Sequence, residues 1–275
     1  MVKRACKNKN TFSHTFQKRR GMRFRPCIDL HQGKVKQIVG GSLSDDNEAD
    51  LKTNFEADKP ARWYADRYRR DRLTGGHVIQ LGAGNAQAAR DALKAWPGGL
   101  QLGGGVTAEN ARDWLDAGAA AVIVTSWVFH DGQVDQERLE RLSRIVGPQR
   151  LVLDLSCRRK DDGYYIVTNR WQTFTREKIT TRLLDRLARY CFEYLIHAVD
   201  VEGRCRGIET DLVALLAQWD GLPITYAGGI HTMEDIRTIQ RLGRGRIDFT
   251  VGSALDIFGG HGLRYADLVR DFGAE

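Results

Sequence analysis

Arg25-Pro-Cys-Ile-Asp-Leu30 reads as a buried β-strand with one residue out of place, because the alternation of side chains puts Asp29 on the face that should be interior. Leu151-Val-Leu-Asp-Leu155 repeats the oddity, with Asp154 in an otherwise apolar run. From Arg23 onward, short β-rich runs alternate with amphipathic segments. Strands are expected over 24–30, 77–81, 100–102, 121–125, 151–155, 194–198, 223–226 and 248–251. Helical periodicity is expected over 61–73, 86–95, 108–117, 135–146, 180–190, 211–218, 233–242 and near 264–272. Eight strand-helix units in a chain of 275 residues call for parallel strands joined by crossovers, and match the length of a (β/α)8 TIM barrel. A doubly wound sheet would bring a Gly-rich dinucleotide fingerprint after its first strand. His31-Gln-Gly-Lys-Val35 stands there instead.

A long-period repeat supports the barrel. Asp29 and Asp154 are 125 residues apart, Gly104-Gly105-Val106 and Gly228-Gly229-Ile230 are 124 apart, and Thr125-Ser126 and Gly252-Ser253 are 127 apart. Three features recurring in one order at nearly one offset imply two homologous half-barrels of four strands each. Side chains in a closed barrel alternate between the interior and the helical layer. Arg25, Cys27 and Asp29 then face inward on the first strand, as do Val152 and Asp154 on the fifth. Both aspartates fall at C-terminal strand ends, where barrel enzymes keep their active sites, on opposite sides of the mouth. A lone aspartate after a strand is often a turn residue; a duplicated, inward pair favours acid–base chemistry.

The glycine runs Leu102-Gly-Gly-Gly-Val106 and Tyr226-Ala-Gly-Gly-Ile230 each precede a helical segment. Glycine lets backbone N–H groups converge on an anion, and a helix N-terminus adds favourable partial charge. Either run alone reads better as a plain turn, but Thr125-Ser126 and Gly252-Ser253 bring a hydroxyl and further N–H groups beside each. Gly104, Gly105, Thr125 and Ser126 are expected at one phosphate, and Gly228, Gly229, Gly252 and Ser253 at its twin. The substrate is thus expected to be a small-molecule bisphosphate with its reacting centre between the aspartates. Trp171 in the fifth loop could stack on a heterocycle or pack against a neighbouring loop, and Asp200 could orient substrate hydroxyls or fix its own loop.

Composition narrows the classes. The net charge is +7, yet residues 1–21 hold seven basic side chains and no acidic one, so the remainder is close to neutral. That stretch is expected to be a solvated, flexible extension, loosely like an organelle transit peptide but without its amphipathic period. The barrel is expected over 22–275. No apolar run approaches the roughly 18 to 20 residues needed to cross a bilayer. The five cysteines are scattered and form no C-x-x-C pair, and the seven histidines form no ligand pattern, so neither disulfide framework nor metal site is expected. The reading is of a cytoplasmic monomer with no metal, no membrane and no nucleic-acid partner.

The run from Phe24 to Val39 resembles the opening of the phosphoribosylformimino-5-aminoimidazole carboxamide ribotide isomerases of histidine biosynthesis, in their eukaryotic-type branch. Gly103-Gly-Gly105, Val122-Ile-Val-Thr-Ser126, Arg150-Leu-Val-Leu-Asp-Leu-Ser-Cys157, His197-Ala-Val-Asp-Val-Glu-Gly203, Thr225-Tyr-Ala-Gly-Gly229 and the segment from Thr250 to Gly260 extend the resemblance over nearly everything after Met22. The resemblance implies a (β/α)8 barrel that converts a bisphosphorylated aminoaldose to its aminoketose by an Amadori rearrangement, without metal or organic cofactor. It implies Asp29 as general base, Asp154 as general acid, and Trp171 stacked on the substrate imidazole. The sequence departs from many bacterial members in lacking a threonine after the sixth strand and in reading Gln80-Leu-Gly82 where they carry Asp. Two rival readings remain at this stage: the cyclase subunit of imidazole glycerol phosphate synthase, which shares the repeat, and a non-catalytic phosphate- or nucleic-acid-binding protein.

Overall fold

Eight parallel strands form the wall of the protein in the computed structural model, which describes residues 21–39 and 53–273. Strands one to eight run Cys27–His31, Gly76–Gln80, Leu100–Gly103, Ala121–Val124, Leu151–Asp154, Glu193–His197, Ile224–Ala227 and Ile247–Phe249. Each pairs in parallel with the next in chain order. Phe24 bridges in parallel to Phe249 and closes the sheet into a (β/α)8 barrel. The backbone alternates donors across that seam, Arg25 N donating to Phe249 O at 2.8 Å and Phe249 N to Arg23 O at 3.1 Å. The basic stretch expected over residues 1–21 lies outside the described residues except for Gly21.

Helices α1 Ala61–Arg70, α2 Ala86–Ala95, α3 Ala111–Asp116, α4 Gln136–Val146, α5 Thr181–Leu187, α6 Thr210–Leu216, α7 Met233–Leu242 and α8 Tyr265–Phe272 follow the strands in turn. Their apolar faces bury Ala65, Leu93, Leu139, Leu184, Leu212, Ile236 and Leu268 against outward strand residues such as Ile28, Val78, Leu102, Leu153 and Ile196. Burying a side chain of this size contributes about 1.5–3 kcal/mol, which is how a helix of only two or three turns holds its place.

The barrel interior is divided by polarity. A small apolar plug of Ala121, Ile123, Val152, Leu195 and Ala227 fills the middle. Below it, at the N-terminal strand ends, Glu193 accepts from Gln101 Nε2 at 2.9 Å and from Thr225 Oγ1 at 2.8 Å, while Arg25 Nε donates to Asp248 Oδ2 at 2.8 Å. Burial alone would lower the Arg25 pKa, but Glu193 and Asp248 outweigh it and hold the guanidinium charged. Asp248 also accepts from the Arg23 backbone N–H at 2.9 Å, so one carboxylate fastens both side chain and main chain across the seam.

Two additions to the barrel were not expected from the sequence. After strand one the chain turns back as Lys34–Ile38, antiparallel to it, and pairs onward with Thr53–Glu56. After strand five, Cys157–Lys160, Gly163–Thr168 and Thr173–Lys178 make an antiparallel three-stranded sheet above the mouth. Among the described residues, no helix is long and apolar enough to cross a membrane.

Truncating Asp248 to alanine would leave Arg25 charged and buried without its partner, a loss worth about 3–5 kcal/mol. Urea unfolding of Asp248→Ala at neutral pH measures this, and a loss under about 1 kcal/mol would show that the seam does not rest on that pair.

Candidate active site

Asp29 lies two residues before the end of strand one and Asp154 ends strand five, half the barrel apart, and the inward parity expected for both is observed. Asp154 is held by two hydroxyls, Thr125 Oγ1 donating to Oδ2 at 2.9 Å and Ser156 Oγ to Oδ1 at 2.8 Å. The Trp171 indole N–H donates to Ser156 Oγ at 3.0 Å, so the fifth-loop tryptophan is tied back to the carboxyl it overhangs. Asp29 accepts from Gln37 Nε2 at 2.9 Å, a residue brought over it by the antiparallel strand Lys34–Ile38.

Burial is the first cause at both carboxyls, penalising the charged form. It pushes Asp29 up to about 6, helped by the nearby Glu202 and opposed by the Gln37 bond and by His197. It raises Asp154 also, against His197 and the Ser156 and Thr125 bonds. His197, at the inward end of strand six, lies 2.9 Å from Glu202 by its Nε2, and its ring meets Trp171 edge to face with centroids 4.9 Å apart. Four ionisable side chains from strands one, five and six and the sixth loop thus share the mouth.

The two glycine turns have matching backbones. Gly104 and Gly105 have φ of 90° and 68°, and Gly228 and Gly229 have φ of 113° and 74°. A Cβ on Gly104 would stand 2.1 Å from the carbonyl oxygen of Gln80, and one on Gly228 2.6 Å from that of Ala198. The first glycine of each turn is therefore required by close approach to the end of the preceding strand, and the half-barrel repeat reaches down to single backbone positions.

The surroundings of the turns differ. Beside Gly104 and Gly105 opens a cavity of about 720 Å³ that is also lined by Ser126, Asp154, Arg170 and Trp171. Beside Gly228 and Gly229 the space is about 20 Å³, bounded by Glu202, Gly252 and Ser253. The sixth loop narrows it, since Gly207 N donates to Gly229 O at 3.2 Å. Asp29 lines neither cavity; its strand lies between those that carry them.

Several expected roles take a different form. The Thr125 hydroxyl is spent on Asp154, which leaves Ser126 as the hydroxyl of this pair not bonded to the carboxyl; its Oγ accepts from the Asn169 N–H at 3.0 Å. Gly252 makes room for Gln37, whose Oε1 lies 2.2 Å from where a Cβ would be. Ser253 Oγ accepts from Asn54 Nδ2 at 2.9 Å. The segments after both turns cap themselves: Asn110 Oδ1 accepts from Thr107 N, and Asp235 Oδ2 from the N–H groups of His231 and Thr232. Those donors are occupied, so an anion at either turn is left the glycine N–H groups and those of the following strand's end. Asp200 is fixed to the fifth-loop sheet by Arg158 Nε at 2.7 Å and the Arg159 N–H at 2.9 Å, and it lines neither cavity.

Sequence reading missed Gln37, Ser156, Arg170 and Glu202. Ser156 carried a local signal, two residues beyond Asp154 and on the same face. Gln37 and Arg170 carried none, because their reach depends on the hairpin and on the loop at Asn169, Arg170 and Trp171, which are left-handed with φ of 51°, 54° and 67°. Each such residue costs about 1–2 kcal/mol, borne here to aim Trp171 and Arg170 at the cavity. Among the described residues no group of His, Cys, Asp or Glu could hold a metal.

A carboxyl raised in the folded state leaves stability intact below its unfolded pKa and removes it as pH rises through the folded value. Asp29→Asn is thus expected to be more stable than the parent by about 1–3 kcal/mol at pH 7.5, the gain fading toward pH 4. Urea titrations at the two pH values measure it; an equal difference at both would refute the strain at Asp29.

The model of the family described as "Histidine biosynthesis protein" matches residues 23–260. The chain is 53% identical over 253 residues to the chloroplastic 1-(5-phosphoribosyl)-5-((5-phosphoribosylamino)methylideneamino) imidazole-4-carboxamide isomerase of Medicago truncatula, covering 90% of this chain and 81% of the relative. It is 50% identical over 250 residues to the isomerase of the same name from Neurospora crassa and 46% identical over 254 residues to that from Saccharomyces cerevisiae, covering 90% of this chain and 97% of the relative in each case. With a matching family model over most of its length and relatives at this identity, the chain belongs to the histidine biosynthesis protein family.

Proposed function

We propose that the protein isomerises N-(5'-phosphoribosylformimino)-5-aminoimidazole-4-carboxamide ribotide to its ribulosyl aminoketose, an intramolecular redox step with no cofactor. The observation that carries the reading is the pairing of two inward aspartates on opposed strands with two glycine turns of one backbone conformation. A substrate with a phosphate at each end spans such a site with its sugar between the carboxyls. Residues 22–275 form the catalytic barrel and residues 1–21 an extension outside it, a division supported by burial of Met22 at the seam. Both aspartates and both turns come from one chain, which favours a monomer; the free cysteines among the described residues favour a reducing cytoplasm.

In this reading Asp154 protonates the ribose ring oxygen, the C1–O bond breaks, and the nitrogen lone pair forms the Schiff base. Asp29, ionised above about pH 6, removes the C2 proton, and the C–H electron pair forms the enolamine. Proton return to C1 and loss of the hydroxyl proton complete the ketose, so atoms and electrons balance without a co-reactant. The hydroxyls of Thr125 and Ser156 can each reverse to accept from a protonated Asp154, so the same contacts serve both charge states. Substrate phosphates add negative charge nearby and favour that protonated form. Trp171 covers the imidazole, and Arg170 with the N–H groups of Gly105 and Ser126 meets the phosphate in the larger cavity.

Purified full-length protein given the aminoaldose is expected to form the ketose without ammonia. Turnover only of the ketose, and only with ammonia, would make it a cyclase instead. Asp29→Asn and Asp154→Asn are each expected to lower kcat at least about 10²-fold with substrate still bound, whereas a non-catalytic binder would be indifferent to both.

A further inference from the structure

We infer that His197, anchored by Glu202, is a positioning residue for the two aspartates, supplying a fixed cation at the barrel mouth that balances whichever carboxylates are ionised. The inference rests on the isomerase reading only for the step it serves. Three observations converge on His197. Strand parity turns its ring inward at the mouth, between strand five with Asp154 and strand seven. Its Nε2 is buried and makes no aligned hydrogen bond, having instead the 2.9 Å ionic contact with Glu202 Oε2. Its ring meets Trp171 edge to face, and the Trp171 N–H leads through Ser156 to Asp154. Glu202 keeps only 19% of its side chain exposed and points into a mouth that already holds two carboxyls, with His197 as its ionic partner there.

The charges facing the ring are Glu202 from the sixth loop, Asp154 from strand five and Asp29 from strand one. Burial opposes the imidazolium, and the three anions together outweigh it and raise the His197 pKa. His77, below on strand two, is lowered to about 3 by burial, then by Arg25 and His197, and adds no charge. The aspartates feel the reverse, since His197 favours the ionised form of both.

The need for such a cation is set by the reaction. Once Asp154 has given its proton to the ring oxygen, and before Asp29 has taken one from C2, both carboxyls are ionised in a site that disfavours charge. An imidazolium facing both stabilises that stage without itself exchanging a proton. Glu202 keeps the histidine charged and keeps it from folding onto either aspartate.

The test is a titration of the Asp29 carboxyl by carbon-13 NMR in the substrate-free protein, together with the acidic limb of kcat/KM. In His197→Gln the loss of the cation is expected to raise both by about one pH unit. In Glu202→Gln both are expected to fall, because Glu202 raises Asp29 more than His197 lowers it, so losing the anion outweighs any loss of charge on the imidazole that follows. Opposite shifts would not arise from loosened packing, which lowers turnover without moving the limb. Unchanged titration in both variants, or a downward shift in His197→Gln, would overturn the inference. The carboxyl titration needs no substrate, so its outcome stands apart from whether the aminoaldose is turned over.

Discussion

The mouth of this barrel is only as well defined as the seam between its first and last strands. Closure there rests on the Phe24–Phe249 bridge, two backbone hydrogen bonds and the buried pair of Arg25 with Asp248. If strand one slipped by a residue against strand eight, its parity would reverse and Asp29 would turn toward the helices. A charged pair is a costly way to fasten a core, since hydrophobic packing often does as well. Its geometry, however, is specific: one carboxylate bonds Arg25 and the Arg23 main chain together, a register that apolar contacts alone specify less sharply.

Above that seam the two half-barrels agree in backbone and differ in what fills them. Gly104 and Gly228 each lie against a carbonyl at the C-terminal end of the neighbouring strand, that of Gln80 in one half and of Ala198, just past strand six, in the other. The aspartates, by contrast, have different supports. Thr125, just past strand four, bonds Asp154, whereas Asp29 is bonded by Gln37 from the hairpin. The two carboxyls are thus given unlike surroundings, the condition under which two like groups in one site can take different protonation states. Strain is placed here as well, in a carboxyl raised to about 6 and in three successive left-handed residues at Trp171.

Much of the architecture was legible because periodicity is a local property. All eight strands and eight helices fall where alternation and the 3.6-residue pattern put them, since apolar residues facing one layer leave that signature in any order of folding. The hairpin after strand one and the sheet after strand five were not legible. Cys157-Arg-Arg-Lys160 is too charged to read as a strand and forms one through its partner Gly163–Thr168. Of the site residues, Asp29, Asp154 and the glycine turns were legible through duplication, whereas the division of labour within Thr125-Ser126 and the anchoring of Asp200 were not.

Sequence by itself determined the barrel, its two halves and the inward face on which Asp29 and Asp154 stand, because strand parity and a repeat at a constant offset are fixed by order along the chain. Tertiary structure alone decided what each aspartate meets. Gln37 reaches Asp29 from the hairpin, His197 and Glu202 bring their charges to the mouth from strand six and its loop, and burial, a property of the closed barrel, sets the charge of the carboxyls. An aspartate in a strand can be recognised from its neighbours in the chain, but its protonation depends on neighbours in space.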